Sequence, residues 1–344
     1  MRATYHQYFL NFKRPSGTSR GILTQKESWF LILEEDGRKG IGECGLLRSL
    51  SIDDRPDYEQ KIKWVCAHLH LGPKQLWEDL KDFPSIQFGV EMAFRSLRSK
   101  TPFLLFPSDF TEGTDAIPIN GLIWMGDKAF MKEQLLHKIR EGFRCIKLKI
   151  GALDFETELE LLKYIRSEFT ASEMELRVDA NGAFSAGEAL EKLKRLSEFE
   201  LHSIEQPIKQ GQVHEMAELC RATPVPVALD EELIGVKDVT KKRELLQIIE
   251  PQYVIFKPSL IGGFQGTEEW RELAEEYNIG WWITSALESN IGLNAIAQYS
   301  YTLENHMPQG LGTGSLYTNN FDSPLQVQEG SLKYNPRSNW EFNL

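Results

Sequence analysis

Cysteine is scarce in this chain and follows no pattern. Cys44, Cys66, Cys145 and Cys220 stand alone, without CxxC spacing, which excludes a zinc knuckle and a disulfide framework. Long apolar runs are missing too: none approaches the roughly 18 residues of a membrane-spanning helix. The opening MRATYHQYFLNFKRPSG has neither the apolar centre nor the small-residue cleavage site of a signal peptide. A cytoplasmic protein without a membrane partner is expected. Basic charge is in deficit, 39 Lys and Arg against 50 Asp and Glu for a net charge of −11, which argues against a nucleic-acid partner. The repeat does not open on a Gly-rich GxGxxG turn, and the GIGECG at 40–45 lies within the hairpin-like run ahead of it, which weighs against an open, doubly wound dinucleotide fold.

What is present is a repeat. Strand-like runs recur at 117–124, 145–150, 175–181, 201–207, 225–231, 252–259, 281–287 and 309–314. Charged segments of helical period, such as DFETELELLKYIRSEF and AGEALEKLKRLSEF, lie between them. Eight strands alternating with seven helices predict an α/β fold, a modified (β/α) TIM-type barrel spanning 116–314. Residues 1–115 read differently, as an antiparallel sheet with an EDGRKG turn followed by helices: an α+β domain ahead of the barrel. The segment 315–344 has short extended pieces and is expected to pack back on that first domain. A chain of 344 residues, 41% of them hydrophobic, can bury cores of this size.

Polar residues fall at the strand ends. CIKLKIG alternates, with Ile146, Leu148 and Ile150 on one side and Lys147 and Lys149 on the other. Two ammonium groups about 6 Å apart at an effective dielectric near 20 repel by roughly 2–3 kcal/mol, a cost that something must offset or use. From Lys149 the chain reaches Asp179, Glu205, Asp230 and Lys257 at intervals of 30, 26, 25 and 27 residues, each about one strand–helix unit. All then sit at the C-terminal mouth, where barrel enzymes keep their chemistry. Three carboxylates converging there without His or Cys favour a hard divalent ion, Mg²⁺ first, with waters and substrate completing its shell, and Mn²⁺ as the alternative. The plainer reading of each carboxylate alone is a cap on the helix that follows. Lys149 and Lys257 flank the carboxylates; a lysine made less basic by Lys147 and by a metal ion can accept a proton. That combination suits α-proton abstraction from a small-molecule carboxylate. Lys147 is a candidate for binding a carboxylate oxygen. Arg177 shares a face with Asp179 and is read either as a substrate contact or as a structural partner of a carboxylate. Ser285 and Glu288 are candidate substrate contacts, Glu288 alternatively a cap for the next helix. Loops 16–21 and 46–51 are candidate lids. A catalytically silent metal-binding barrel and a pure interaction protein are the non-enzyme alternatives. The oligomeric state is left open.

The motifs KLK (147–149), DAN (179–181), EQP (205–207), DE (230–231) and FKPS (256–259) resemble those of the enolase superfamily, muconate-lactonising subgroup. The resemblance implies a capping domain over the barrel mouth. It also implies Mg²⁺ on Asp179, Glu205 and Asp230, with Lys149 and Lys257 as the catalytic pair. SALESNIGLNAIAQ (285–298) and GLGTGSLYTNNF (310–321) resemble a dehydrating branch of the subgroup, which eliminates water from a hydroxycyclohexadiene carboxylate. Racemisation of N-acylated amino acids and dipeptide epimerisation are the alternatives. The latter usually carries Asp-x-Asp on the eighth strand, where this chain has Gly312 and Gly314.

Overall fold

The computed structural model describes residues 1–18 and 21–344. Strands β1 (Arg2–Thr18), β2 (Gly21–Glu35) and β3 (Arg38–Cys44) form one antiparallel sheet in that order. The β2–β3 hairpin turns through Asp36 and Gly37, both at positive φ (50° and 76°), the backbone of a tight turn whose twist matches its strands. Helices α1 (Tyr58–Ala67), α2 (Gly72–Asp79) and α3 (Pro84–Arg98) follow. α3 presses directly on β3. A Cβ on Gly42 would stand 1.9 Å from the carbonyl oxygen of Gly89, and one on Gly89 would stand 2.3 Å from Cys44 Sγ. Only glycine permits that approach. The expected lid at 16–21 falls partly on Ser19 and Arg20, which lie outside the described residues.

The short helix α4 (Asp109–Glu112) leads to β4 (Ala116–Pro118) and then into the repeat: β5 (Gly121–Ile123), α5 (Lys128–Arg140), β6 (Cys145–Lys149), α6 (Phe155–Glu168), β7 (Glu175–Asp179), α7 (Ala186–Leu196), β8 (Ser203–Glu205), α8 (Val213–Ala222), β9 (Val227–Leu229), α9 (Val239–Ile249), β10 (Tyr253–Phe256), α10 (Pro258–Ile261), α11 (Gly263–Glu276), β11 (Gly280–Ile283) and α12 (Asn290–Thr302). β5 to β11 pair in parallel and in sequence. The ring is closed by residues 309 and 310, which bridge Ile119 on one side and Thr284 on the other. Backbone N–H groups of Asn120 and Ser285 donate to Gln309 and Gly310 at 3.0 and 3.1 Å. Side chains such as Ile146, Leu148, Val178 and Ile204 are buried in the large core with the helices. The opposite faces of the strands point into the ring.

Two expectations need correction. The strand expected over 117–124 is split. β4 leaves the ring and pairs antiparallel with β13 (Ser331–Tyr334), which pairs in turn with β12 (Leu325–Gln328). The eighth strand, expected over 309–314, contributes only its first two residues as bridges. The terminal segment meets the first sheet through aromatic rings: Phe321 and Phe342 pack on Phe30 at centroid distances of 5.2 and 5.5 Å.

Candidate active site

The parallel register brings the polar strand ends level. Lys149 pairs with Asp179, and Asp179 with Glu205. Asp230 and Lys257 directly follow β9 and β10. All five turn inward at the C-terminal mouth. Lys147, Lys149 and Lys257 line a cavity of about 460 Å³. Its walls come from both halves of the molecule: Leu47, Arg48, Ser49 and Leu50 after β3, and Ser285, Ala286 and Leu287 after β11.

Charges alternate across the site. The ammonium groups of Lys147 and Lys149 both lie 2.9 Å from the same oxygen, Oδ2 of Asp179. Lys147 also meets Glu205 Oε2, and Lys257 meets Asp230 Oδ2 while standing 3.7 Å from Glu205 Oε1. Lys149 donates further to Asn181 Oδ1 at 2.6 Å, and Asn181 donates to Glu231 Oε1 at 3.1 Å. The repulsion expected between Lys147 and Lys149 is therefore offset by a shared carboxylate. Burial alone would raise the Asp179 carboxyl, but Lys147 and Lys149 hold it far below the usual range. Burial would lower Lys147 and Lys257, but Asp179 and Asp230 respectively, together with Glu205, raise both. Each of these two ammonium groups sits among carboxylates, which favour its charged form.

Glu205 is the exception among the acids. Burial first, and the charge of Asp179 second, push its carboxyl up to about 8. Neither of its oxygens takes part in a well-directed hydrogen bond, although the ammonium of Lys147 lies against one of them. Among the described residues no three acidic, His or Cys side chains already converge on one point; the ammonium groups stand between the carboxylates. The donor set nevertheless fits a hard divalent cation. It is all oxygen, it is buried, and neither oxygen of its middle member makes a well-directed hydrogen bond. The three lysines already reach the cavity.

The remaining candidates divide. Ser285 lines the cavity, with its hydroxyl 2.6 Å from that of Thr313. Arg177 does not line it. It is two residues deeper in the barrel, donating to Glu175 Oε1 (2.7 Å) and to the Pro308 carbonyl (2.9 Å), with its guanidinium 4.2 Å from the centre of the Trp282 ring. Here Arg177 makes a structural pair with Glu175, not with any of the three candidate metal-ligand carboxylates. Glu288 is fully buried behind the cavity wall, accepting from the Ser259 hydroxyl and from Ala286 N–H. It neither faces the cavity nor caps α12, whose cap is Ser289. The sequence reading missed Asn181 and Glu231 as partners, although both lie inside quoted motifs. It also missed Glu158, whose Oε1 accepts the N–H groups of Gly151, Ala152 and Leu153 at 2.7, 3.2 and 3.1 Å and so fixes the loop leaving Lys149.

A closed ring of parallel strands with acids and lysines interleaved at its C-terminal mouth, under a second domain, defines a capped (β/α)-barrel enzyme. Residues 131–337 match the family model described as enolase C-terminal domain-like. The chain belongs to the enolase superfamily. An o-succinylbenzoate synthase of Desulfotalea psychrophila is 47% identical, over 96% of this chain and 98% of its own. N-succinylamino acid racemases of Thermus thermophilus and an Amycolatopsis species are 29% and 30% identical, covering 80% and 81% of this chain and 75% and 76% of their own. The crystal structure of MenC from Desulfotalea psychrophila superposes with a TM-score of 0.86 at 44% identity, over 97% of this chain and 99% of that one. An L-Ala-D/L-Glu epimerase from Bacillus subtilis shares the fold, with a TM-score of 0.83 at 18% identity over 97% and 96% of the two chains.

Proposed function

We propose that the protein is an o-succinylbenzoate synthase, a hydro-lyase of menaquinone biosynthesis. Its reaction is the Mg²⁺-dependent syn-dehydration of 2-succinyl-6-hydroxycyclohexa-2,4-diene carboxylate. The observation that carries this reading is a pair of lysines, one from β6 and one following β10, reaching a single cavity from either side of the acids, in a chain with a near full-length relative of that activity.

Asp179, Glu205 and Asp230 would hold the Mg²⁺, and Mn²⁺ suits the same donors. When bound, the cation supplies Lewis-acid stabilisation of the charge that grows on the substrate carboxylate as the α-proton leaves. Lys149 takes that proton, and the C–H electron pair moves into the enediolate. The electron pair then moves on to expel hydroxide from the neighbouring carbon, and Lys149 returns the proton to it. One water leaves and the ring becomes aromatic. A single nitrogen serving both steps keeps them on one face, which makes the elimination syn. Lys257 faces the delocalised anion from the other side as a cation; the carboxylates of Asp230 and Glu205 favour its charged form. Lys147 and Ser285, which line the cavity, would meet substrate oxygens.

The same pair of lysines favours one second reading, racemisation of N-acylated amino acids, in which one lysine removes the α-proton and the other delivers one to the opposite face. Dipeptide epimerisation is not supported, because Gly312 and Gly314 present no carboxylate for an ammonium. The deciding experiment is an ultraviolet assay for the aromatic product, run beside panels of N-acylamino acids and dipeptides. Appearance of o-succinylbenzoate is expected. Turnover of a dipeptide with none of the diene would overturn the reading.

A further inference from the structure

The two walls of the cavity are joined behind it by a buried polar cluster that the proposed chemistry does not use. Glu43, fully buried on β3, sends its carboxylate across to the start of α12. Its Oε1 accepts from the Ser28 hydroxyl at 2.7 Å and from Ser289 N–H at 2.9 Å; its Oε2 accepts from the Ser289 hydroxyl and from Gly292 N–H at 2.8 Å. Lys26 donates to the same Ser28 oxygen at 3.0 Å. A carboxylate from the first domain thus satisfies the orphan N–H groups of a barrel helix, where negative charge is favoured. The fit leaves no slack, since a Cβ on Gly292 would stand 2.9 Å from Glu43 Oε2.

Position along the chain gives the cluster its consequence. Four residues after Glu43 the chain forms the cavity wall 47–50; the wall 285–287 ends two residues before Ser289. That second wall contains Leu287 with φ at 66°, a left-handed backbone that costs a branched-chain residue energy unless its surroundings impose it. Tyr317 holds its carbonyl at 2.7 Å, and Glu288 holds Ala286 N–H at 2.7 Å. Glu43 is the one group of this set that comes from the same chain segment as the opposite wall.

We propose that Glu43 is a positioning residue for the substrate, setting wall 47–50 against wall 285–287 across the domain junction. It acts on the shape of the cavity and leaves proton transfer to the lysines; as a statement about substrate it rests on the function proposed above. The test uses the full chain with Mg²⁺, as Glu43→Gln and Ser289→Ala. Glu43→Gln keeps the volume but turns an amide NH₂ toward N–H donors. Ser289→Ala removes the hydroxyl's bond to Glu43 together with its cap bond from Ile291 N–H, leaves the Ser289 N–H bond to Glu43, and serves if the first variant does not fold. Two readouts are taken. Amide hydrogen exchange is expected to rise about tenfold in peptides covering 46–51 and 284–289 together, with the barrel strands unchanged. KM for the cyclohexadiene is expected to rise about tenfold with kcat within about threefold of wild type. Faster exchange in only one of the two segments, or in neither, overturns the proposal. So does a lowered melting temperature with KM unchanged, which is what a purely structural contact would give. If the wild-type protein does not turn over the diene, the proposed function fails, while the exchange experiment still decides the coupling of the walls.

Discussion

A carboxylate oxygen shared by two ammonium groups concentrates opposite charge in a small volume. Asp179 does this for Lys147 and Lys149, and it explains why a buried strand tolerates both lysines. KLK was legible in the sequence because strand period 2 puts both residues on one face. The depth of a residue along the strand was not legible. Arg177 lies on the same face as Asp179 but two residues deeper, and it becomes a structural group on Trp282. Single substitutions should separate the roles. Lys149→Ala is expected to lower kcat by about 10³-fold or more, the usual worth of a positioned general base, while the thermal shift produced by Mg²⁺ stays near the wild-type value. Asp230→Asn is expected to weaken both, read by the same product assay and the same melting curves. If Lys149→Ala retained most of its activity, the assignment of the base would fall.

At the scale of elements, the helices of the repeat follow the apolar period closely, and the seven expected between barrel strands are all present. The groups that satisfy their ends were hidden, because some come from the other domain. Glu91 on α3 accepts the N–H groups of Phe264 and Gln265 at the start of α11, at 2.6 and 3.1 Å. Burial raises its carboxyl to about 8, against an ordinary value of 4.5. Between those values the folded protein keeps a proton that the unfolded chain has lost. Stability therefore falls as pH rises from about 4.5 to about 8, by up to ~1.4 kcal/mol per pH unit from this one group. Glu91→Gln is expected to flatten that dependence, and urea denaturation across the range measures it; an unchanged slope would refute the assignment. Gly42→Ala tests the α3–β3 contact. A Cβ there would overlap the Gly89 carbonyl, so a loss of about 2–3 kcal/mol is expected in the same assay.

For the molecule as a whole, the acidic site and the two-domain cavity make ligand binding and stability one problem. A cation that binds only the folded state stabilises it by RT ln(1 + [L]/Kd), about 2.7 kcal/mol at a hundredfold excess over Kd. Mg²⁺ and Mn²⁺ are each expected to raise the melting temperature of chelator-treated protein, and Asp179→Asn to abolish the rise. Calorimetry showing no shift with either ion would count against the carboxylate site. No helix of the described residues is long and apolar enough to cross a membrane.

The sequence by itself determined the barrel, the order of its elements and the set of acids and lysines at its mouth. These follow from local periodicity and from a repeat of 25 to 30 residues, both of which are written in neighbouring residues. The tertiary structure alone decided that two residues close the ring, that Arg177 and Glu288 face away from the cavity, and that Glu43 and Glu91 cap helices about 246 and 173 residues away. Such contacts depend on how strands register and domains dock. A buried carboxylate takes whichever N–H groups that docking brings to it, and nothing in its flanking sequence names them in advance.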